Sequence, residues 1–151
     1  MKDLSYEVVK LKATDNAYEL IEQYCKSNGY TITGEELKKW IEKIISIGDP
    51  LGIICNNEII AFLLLYCNKY DTLEAYICNV YVRKDFRGEQ LSKLLVEEAI
   101  QICKNREFRI INLDVAQSNI PAIKVYTRSG FEKTDSYLKD SEPYYKMSYK
   151  I

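Results

Sequence analysis

The sequence predicts a mixed α/β domain built in layers, and three observations support this. Its 151 residues suit one domain with one core, which we assign to residues 1–151. Apolar residues recur at helical spacing in some segments and form short, strand-length runs in others. No linker, repeat or low-complexity segment divides the chain. The resulting order is β-α-α-β-β-β-α-β-α-β-β, which differs from the strict alternation of strand and helix in a parallel sheet.

Two helices are predicted near the N-terminus, between the first strand and the second. Thr14 or Asp15 can cap the first helix, and Asn28-Gly29 ends it. Thr33 is followed three residues later by Glu36, a capping-box pattern that begins the second helix. The predicted bounds are a strand at 4–11 and helices at 14–26 and 33–47.

The rest of the chain is predicted to hold six strands and two more helices. Asn56-Asn57 suits a two-residue hairpin turn, and a second turn is expected at 68–72. Pro121 suits the first turn of the last helix, which Gly130 ends. The predicted strands are 51–55, 58–67, 73–82, 109–116, 131–138 and 144–150, and the predicted helices run from after Arg87 to about 105 and from about 119 to 129.

The charge and hydropathy patterns exclude several classes of partner. The net charge is −1, from 21 basic and 22 acidic residues, so nothing global attracts nucleic acid or an anionic membrane. The longest apolar run, Ile59–Cys67, is much shorter than the roughly 20 residues of a membrane-spanning helix. The N-terminal residues lack the apolar core of a signal peptide. We therefore expect a cytoplasmic protein with no nucleic-acid or membrane partner.

Histidine is absent from the sequence, which excludes histidine-based triads, histidine metal sites and a histidine general base. Any base must then be a carboxylate, a cysteine, a tyrosine, a lysine or water. The five cysteines form no Cys-x-x-Cys pair, and their odd number suits reduced, partly buried thiols. We expect no metal site.

The most informative segment is 80–95, which reads VYVRKDFRGEQLSKLL. An apolar strand ends at Val82, a polar turn with Arg87 and Gly88 follows, and a helix begins behind the turn. Such a helix presents unpaired backbone N–H groups at the positive end of its dipole. The pattern therefore predicts a phosphate site.

A second segment, 119–131, reads NIPAIKVYTRSGF, and the two segments together resemble the GCN5-related N-acetyltransferase (GNAT) superfamily. In that family a strand leads through arginine-glycine-x-glycine-x-glycine or alanine into a helix. The likeness in element order spans nearly the whole chain and is specific from about residue 73 to 131. The matching residues here are Arg87-Gly88-Glu89-Gln90-Leu91-Ser92 in the first motif, and Asn119, Ala122, Tyr126 and Gly130-Phe131 in the second.

The resemblance implies a central, mixed and mostly antiparallel sheet flanked by helices, and an enzyme that binds acetyl-CoA. The acetyl group would pass to a primary amine, of a small molecule or a peptide, by direct attack in a ternary complex. Asn119 would bind the pantetheine arm, and Tyr126 would protonate the departing thiolate. The backbone of the strand would bind the arm and the thioester oxygen through Val80, Tyr81 and Val82. The pyrophosphate would be held by Arg87, Gly88, Glu89, Gln90, Leu91, Ser92 and Lys93.

Two residues depart from the family pattern. Gln90 replaces a residue that is usually glycine, and Ser92 one that is usually glycine or alanine. Glycine lets the backbone come close to phosphate, and the Ser92 hydroxyl can itself contact phosphate. Gln90 can project outward and leave its N–H accessible, or it can crowd the pyrophosphate. The departures favour an alternative function, in which the same fold is a non-catalytic CoA-sensing or protein-interaction module.

Simpler interpretations stand beside the catalytic ones. Arg87 can be a solvated turn residue, Asn119 a helix N-cap, and Tyr126 a core residue.

The general base is predicted less directly. Glu74 lies thirteen residues before Arg87, a separation similar to that of the catalytic glutamate in histone-acetylating members of the family. A one-residue bulge would turn Glu74 to the other face of the sheet, and a solvated carboxylate at the strand start is the competing interpretation. Asp71 and Glu58 are further options, and a chain of water molecules can also accept the proton. Asn79 can orient water or substrate but cannot act as a base.

The acceptor pocket is expected between the two N-terminal helices, the 67–73 turn and the C-terminal hairpin. An aromatic, partly acidic wall there would suit a small cationic amine through cation–π contact, whereas tyrosines that only fill the core are the competing interpretation. The last strand, Tyr144–Lys150, can pair across a two-fold axis and make a homodimer. The aromatic residues of these segments are Tyr18, Tyr24, Tyr30, Trp40, Tyr66, Tyr70, Tyr137, Tyr144 and Tyr145.

Overall fold

The structure is a computed structural model that describes residues 5–32 and 34–151. Seven strands and four α-helices follow one another in the described chain in the order expected from the sequence. Their bounds are β1 (Glu7–Lys10), α1 (Asp15–Ser27), α2 (Gly34–Ile47), β2 (Leu51–Cys55), β3 (Glu58–Lys69), β4 (Glu74–Val82), α3 (Leu91–Asn105), β5 (Ile110–Ala116), α4 (Ile120–Arg128), β6 (Glu132–Lys139) and β7 (Glu142–Lys150).

The strands form one sheet in the order β1-β2-β3-β4-β5-β7-β6. β4 and β5 are parallel, and the other neighbouring pairs are antiparallel. The mixed, mostly antiparallel sheet expected from the sequence is therefore confirmed.

The centre of the sheet is buried on both faces, and β3 shows this most clearly. Leu63 and Leu65 belong to a core cluster that includes α3, while Phe62 and Leu64 belong to a second cluster under α1 and α2. A strand covered on both faces is apolar throughout, which explains the long hydrophobic run in this part of the sequence. Each fully buried leucine contributes on the order of 2 kcal/mol through the hydrophobic effect.

Several local predictions concern helix and turn residues. Thr14 caps α1, since its Oγ1 accepts a hydrogen bond from the Ala17 N–H at 3.3 Å. Asn56 and Asn57 both have positive φ, 52° and 64°, as a two-residue hairpin turn requires. Thr33, the expected cap of α2, lies outside the described residues, as does the start of the first predicted strand.

None of the helices in the described part of the chain is long and apolar enough to cross a membrane.

The ends of several predicted strands differ from the structure by a few residues, and the turn between β3 and β4 is the clearest case. β3 continues to Lys69, so the turn before β4 is shorter than expected. The predicted strand 73–82 begins with Leu73, but this residue has a φ of 59° and belongs to the turn. A left-handed residue cannot continue the extended strand, and β4 therefore begins at Glu74.

The prediction that the last strand pairs across a two-fold axis is wrong. β7 lies between β5 and β6 and is hydrogen-bonded to both. Both of its edges are therefore occupied within the chain, and the exposed edge on this side of the sheet belongs to β6.

β4 and β5 separate halfway along their length. They are paired only from Glu74–Ile77 to Ile110–Leu113, although β4 continues to Val82 and β5 to Ala116. Beyond these pairs a gap opens between the two strands at their carboxyl ends.

A β-bulge in β4 coincides with this separation. Leu65 lies opposite Ile77 and Leu64 opposite Asn79, so Cys78 is an extra residue on β4. The bulge reverses the alternation of side chains. As a result Val80 packs against the same core cluster as Ile77, and Asn79 faces α1 instead.

Candidate active site

The edge of β4 beside the gap holds the three strand residues predicted to bind acetyl-CoA. Val80, Tyr81 and Val82 follow the bulge and pair with β3 on their other side. In the described chain β5 pairs with β4 no further than Leu113. This stretch of β4 can therefore offer backbone N–H and C=O groups to an extended ligand, as an edge strand does.

The turn between β4 and α3 has an unusual backbone. Gly88 has a φ of +90° and Gln90 a φ of +60°, and α3 begins at the next residue. The first N–H groups of a helix have no partner within the helix, so those of Leu91, Ser92 and Lys93 point out of its N-terminus. A surface cavity of about 330 Å³ lies here, lined by Gly88, Glu89, Gln90, Lys93, Leu94 and Glu97.

Gln90 occupies a conformation that glycine adopts more readily. Its φ and ψ of 60° and 28° are left-handed, which costs a residue with a side chain about 1 kcal/mol. The side chain is exposed, makes no capping hydrogen bond to α3 and forms part of the cavity wall. The family glycine at this position thus has a local reason, namely the backbone conformation of the turn.

Arg87 connects the turn to the end of β4. Its Nε donates a hydrogen bond to the Val82 carbonyl at 3.0 Å, and its guanidinium lies 5.5 Å from the centre of the Tyr81 ring. Positive charge beside the cavity also comes from Lys93, whose Nζ is 3.9 Å from the Glu97 carboxylate on the exposed surface. The charges around the cavity are mixed, so backbone amides are its main feature for an anion.

Asn119 caps α4, the helix on the other side of the gap. Its Oδ1 accepts a hydrogen bond from the Ala122 N–H at 3.4 Å. The side chain is exposed, and its amide group can still donate to a ligand. Capping and ligand contact are compatible for this residue.

Tyr126 lies on α4 and is 8% exposed. Its ring packs 5.8 Å from that of Phe131, and burial raises the pKa of the phenol to about 12. The hydroxyl makes no hydrogen bond to another residue of the described chain. Burial is the main cause that raises the pKa of the Tyr24 phenol of α1, and Tyr126 makes the smallest of the electrostatic contributions to that shift.

The helix that carries Tyr126 ends at a position that demands glycine. Gly130 has a φ of +106°, and a Cβ there would be 2.9 Å from the Tyr149 ring. The chain then turns so that the Phe131 N–H donates to the Tyr126 carbonyl at 2.9 Å. The Gly-Phe pair of the motif thus fixes the end of α4 behind Tyr126.

Side chains on the α1 face of β4 form a short hydrogen-bonded chain at the bulge. The Tyr24 hydroxyl donates to Asn79 Oδ1 at 2.5 Å, and Asn79 Nδ2 donates to Cys78 Sγ at 3.3 Å. Cys78 is exposed to solvent on one side, and the residues packed on its other side partly desolvate the thiol and raise its pKa, which Lys139 partly offsets. These residues form a polar cluster on the side of the gap that faces α1.

Asp114 lies at the gap, and no motif in the sequence indicated it as a candidate site residue. It follows Leu113, the last residue of β5 that pairs with β4, and it accepts a hydrogen bond from the Tyr76 hydroxyl. Burial first, and then the hydrogen bond with Asp114, raise the pKa values of Tyr76 and Tyr137. A carboxylate in mid-strand between two buried apolar residues was the signal that could have identified it.

Glu74, the predicted base, lies at the first residue of β4 and is exposed. It shares a face with Tyr76 and lies about 13 Å along the strand from Cys78, at about 3.3 Å per residue. Glu74 therefore lies at the opposite end of β4 from the gap. Asp71 is exposed in the turn before β4, at the end of the strand opposite the gap, and Glu58 is paired with Arg83 at 3.1 Å.

The structure divides the expected aromatic wall. Tyr24 lies near the bulge, and Tyr137 stacks on Tyr144 with ring centres 5.6 Å apart on the Asp114 side. Tyr70 instead packs on Phe108 at 5.2 Å, at the opposite end of β4 from the gap. That part of the expected pocket is wrong, because the 67–73 turn lies at the amino end of β4 and the gap opens at its carboxyl end. The remaining tyrosine and tryptophan positions are core-packed at Tyr18, Trp40, Tyr66 and Tyr145, and exposed at Tyr30.

Three known proteins resemble this chain, one in sequence and two in fold. The uncharacterized N-acetyltransferase MJ1207 of Methanocaldococcus jannaschii is 30% identical over 80% of this chain, which spans 58% of that relative. The ribosomal-protein-S18-alanine N-acetyltransferase of Escherichia coli has the same fold, with a TM-score of 0.76 at 20% identity, over 97% of this chain and 94% of that one. The PaiA N-acetyltransferase of Thermoplasma acidophilum, solved in complex with coenzyme A, has a TM-score of 0.71 at 20% identity. The match covers 97% of this chain and 99% of that one.

A sequence model of the acetyltransferase (GNAT) family also matches residues 15–131. The matched range contains the bulged β4, the turn into α3, and α4 with Tyr126. By sequence match and by fold, the chain belongs to the GNAT family.

Proposed function

We propose that this protein transfers an acetyl group from acetyl-CoA to a primary amine by direct attack in a ternary complex. The observation that carries the proposal is the gap between β4 and β5. It has an unpaired strand edge on one side, the N-terminus of α3 at its end, and Tyr126 beside it. An extended thioester with a pyrophosphate at one end matches this arrangement of groups.

The binding of acetyl-CoA is proposed to use mostly backbone groups. Val80, Tyr81 and Val82 would pair with the pantetheine arm, and Asn119 would donate to it from its free amide. The turn and first helical residues would hold the pyrophosphate through their N–H groups. These residues are Arg87, Gly88, Glu89, Gln90, Leu91, Ser92 and Lys93.

The reaction needs one bond made and one broken. The amine nitrogen attacks the thioester carbonyl carbon, a C–N bond forms, and the C–S bond breaks to release a thiolate. A backbone N–H near Val80 or Tyr81 would stabilise the negative charge that develops on the carbonyl oxygen. The products are an acetamide and CoA, with the proton of the amine passing to a base or to water.

Tyr126 is proposed to act at the departing sulfur. A phenol with a pKa of about 12 keeps its proton at neutral pH, whereas a free thiol ionises near pH 8.5. Full transfer of the Tyr126 proton to the thiolate is therefore uphill by about 4–5 kcal/mol. This supports hydrogen-bond donation to the thiolate as its main role, instead of the proton transfer that the family resemblance implies.

Two carboxylates are candidates for the proton acceptor. Glu74 stays a prediction from the sequence, and a water chain would have to connect it to the gap. Asp114 is the candidate that the geometry supports, because it lies where β5 leaves β4 and is held by Tyr76. A carboxylate there attracts the ammonium form of the acceptor and accepts its proton during attack.

The class of acceptor stays open between a small amine and a peptide. Aromatic rings of Tyr24, Tyr137 and Tyr144 near the site support a cationic small amine through cation–π contact. The likeness to an enzyme that acetylates the alanine of ribosomal protein S18 supports a protein amino terminus. We expect the reaction to take place in the cytoplasm.

The first experiment is thermal unfolding with acetyl-CoA, with CoA and without ligand. A ligand at 100 times its Kd should stabilise the native state by about 2.7 kcal/mol, which raises Tm by several degrees in a domain of this size. A clear shift supports the proposal and justifies an assay of spermidine against an alanine-initiated peptide. No shift at millimolar acetyl-CoA would contradict it.

A non-catalytic CoA sensor on the same fold is the second candidate function. The left-handed Gln90 at a glycine position favours it, because the side chain forms part of the cavity wall. Stabilisation by CoA without acetyl transfer to any amine or peptide is the result expected of a sensor.

A further inference from the structure

Tyr24 is held in one orientation by the rings around it. It lies near the end of α1 and meets Phe62 and Tyr81 edge to face, each with ring centres 5.5 Å apart. Burial raises the pKa of its phenol well above the usual value, so the hydroxyl keeps its proton at neutral pH and acts as a hydrogen-bond donor. Contacts on two sides of the ring fix where this donor points.

The Tyr24 hydroxyl fixes one end of the Asn79 side chain. It donates to Asn79 Oδ1 at 2.5 Å, which turns the other end of the carboxamide toward Cys78, with Nδ2 3.3 Å from the sulfur. An asparagine amide has two N–H donors, and the sulfur takes one of them. Within the described chain the second N–H has no hydrogen-bond partner.

Asn79 lies where an acceptor would approach the thioester. It is the first residue after the bulge, on the α1 face of β4, at the point where β5 separates from β4. Asp114 comes one residue after the last β5 residue that pairs with β4, and it would attract the ammonium group. A donor beside an anion is suited to an amine that carries an oxygen acceptor close to its nitrogen.

We propose that Tyr24 is a positioning residue for the acceptor, which holds the Asn79 amide so that it donates to a carbonyl oxygen near the reacting nitrogen. The inference rests on the proposed acetyl transfer and deepens it. It assigns the acceptor to amines with such a carbonyl, as in an amino-terminal residue, and not to simple alkylamines.

The kinetic test compares two small acceptors, L-alaninamide and isopropylamine, which differ by the carboxamide. Tyr24→Phe keeps the ring and removes the hydroxyl, so it should lower kcat/KM for L-alaninamide about tenfold and leave isopropylamine within a factor of two. Asn79→Ala should have the same effect, and the double variant should be no worse than Asn79→Ala alone, because Tyr24 acts through Asn79. Tyr149→Phe removes a hydroxyl from the opposite face and is the matched control.

A second measurement needs no acceptor and uses Cys78 as a reporter. Cys78 is exposed and the other four cysteines are buried, so Ellman's reagent reads its reactivity, with Cys78→Ser as the blank. The titratable groups around it are Tyr24 of α1, Tyr66 of β3, Tyr76 of β4 and Lys139 of β6. Loss of the oriented Asn79 donor in Tyr24→Phe should slow the reaction about threefold at pH 8 and move its pH profile upward.

Four outcomes overturn the inference. Three concern the variants: independent effects of the two substitutions, an equal loss with both amines, and a Cys78 reaction that Tyr24→Phe leaves unchanged. The fourth is acetylation of isopropylamine but not of L-alaninamide by the wild-type protein. If acetyl-CoA does not bind the wild-type protein, the proposed function fails instead, and the Cys78 reaction still decides whether Tyr24 positions Asn79.

Discussion

The two ends of the candidate site are built in different ways. The end that would bind the pyrophosphate comes from one continuous strand–turn–helix, residues 80–93, and consists mainly of backbone groups. The acceptor side comes from side chains of α1, β4, β5 and β6, which meet only in the folded sheet. Local sequence therefore determines the first end, and long-range strand pairing determines the second.

This difference has a physical consequence for tolerance to substitution. Backbone N–H groups at a helix N-terminus remain whatever the side chains are, so the turn can carry Gln90 at a glycine position. On the acceptor side a single hydroxyl or carboxylate supplies each interaction, as Tyr24 does for Asn79. Substitutions there should change the reaction more than the binding of acetyl-CoA.

The largest effect is expected at Tyr126, which lies between the two ends. Tyr126→Phe should lower kcat on the order of 100-fold, because the departing thiolate loses its hydrogen-bond donor, while the Kd of acetyl-CoA changes little. Steady-state kinetics and calorimetric titration of acetyl-CoA measure the two quantities. Tyr149→Phe is the control with a phenol removed outside the site, and an unchanged kcat in Tyr126→Phe would remove this residue from the mechanism.

Alkaline pH should destabilise the protein through the same phenol. The folded-state pKa of Tyr126 is raised to about 12, above the value near 10 of the unfolded chain. The stabilisation from the neutral phenol is therefore complete below pH 10 and is lost between pH 10 and 12. About 2–3 kcal/mol of unfolding free energy should disappear over this range.

Urea unfolding at pH 8 and pH 11.5 measures that loss. Tyr126→Phe should lose less stability than the wild type between the two pH values. Part of the loss should remain, because burial also raises the pKa values of Tyr24 and Tyr76. An identical pH dependence in the two proteins would show that Tyr126 titrates normally.

A pair of variants decides between the carboxylates. If Asp114 accepts the proton, Asp114→Asn should lower kcat/KM about tenfold or more, and Glu74→Gln should change it less than twofold. Both substitutions remove one charge and keep the shape of the side chain, so each is the control for the other. The reverse pattern would restore the sequence-based prediction of Glu74, and small effects in both would favour a water chain.

The sequence predicted most of the fold because its signals are local. Asn56-Asn57 marked a hairpin, Thr14 marked a helix start, and the apolar run in β3 marked a strand. The position of β7 between β5 and β6 was not predictable in this way, since hydrogen bonding between strands distant in sequence sets the order. The prediction of pairing through β7 was wrong for that reason.

The candidate site, like the fold, was predictable where its residues belong to local motifs. Motif spacing located the turn at Arg87 and the helix with Tyr126, whereas Asp114 appeared in no motif. Its role depends on the point where β4 and β5 separate, which no spacing along the chain encodes. The bulge at Cys78 likewise decides that Asn79 faces α1.

The smallest effect tests the tolerance of the backbone end. Gln90→Gly should bind acetyl-CoA about threefold more tightly, because glycine adopts the left-handed conformation without strain and leaves the cavity wall more open. Gln90→Ala removes most of the side chain but keeps the strained backbone, so it separates crowding from strain. Tighter acetyl-CoA binding in both variants indicates that the glutamine side chain crowds the cavity. Tighter binding in Gln90→Gly alone indicates that backbone strain is the cause. Weaker binding by Gln90→Gly would mean that the glutamine side chain itself contacts acetyl-CoA, and the acetyl-CoA end would then resemble the acceptor side in depending on a side chain.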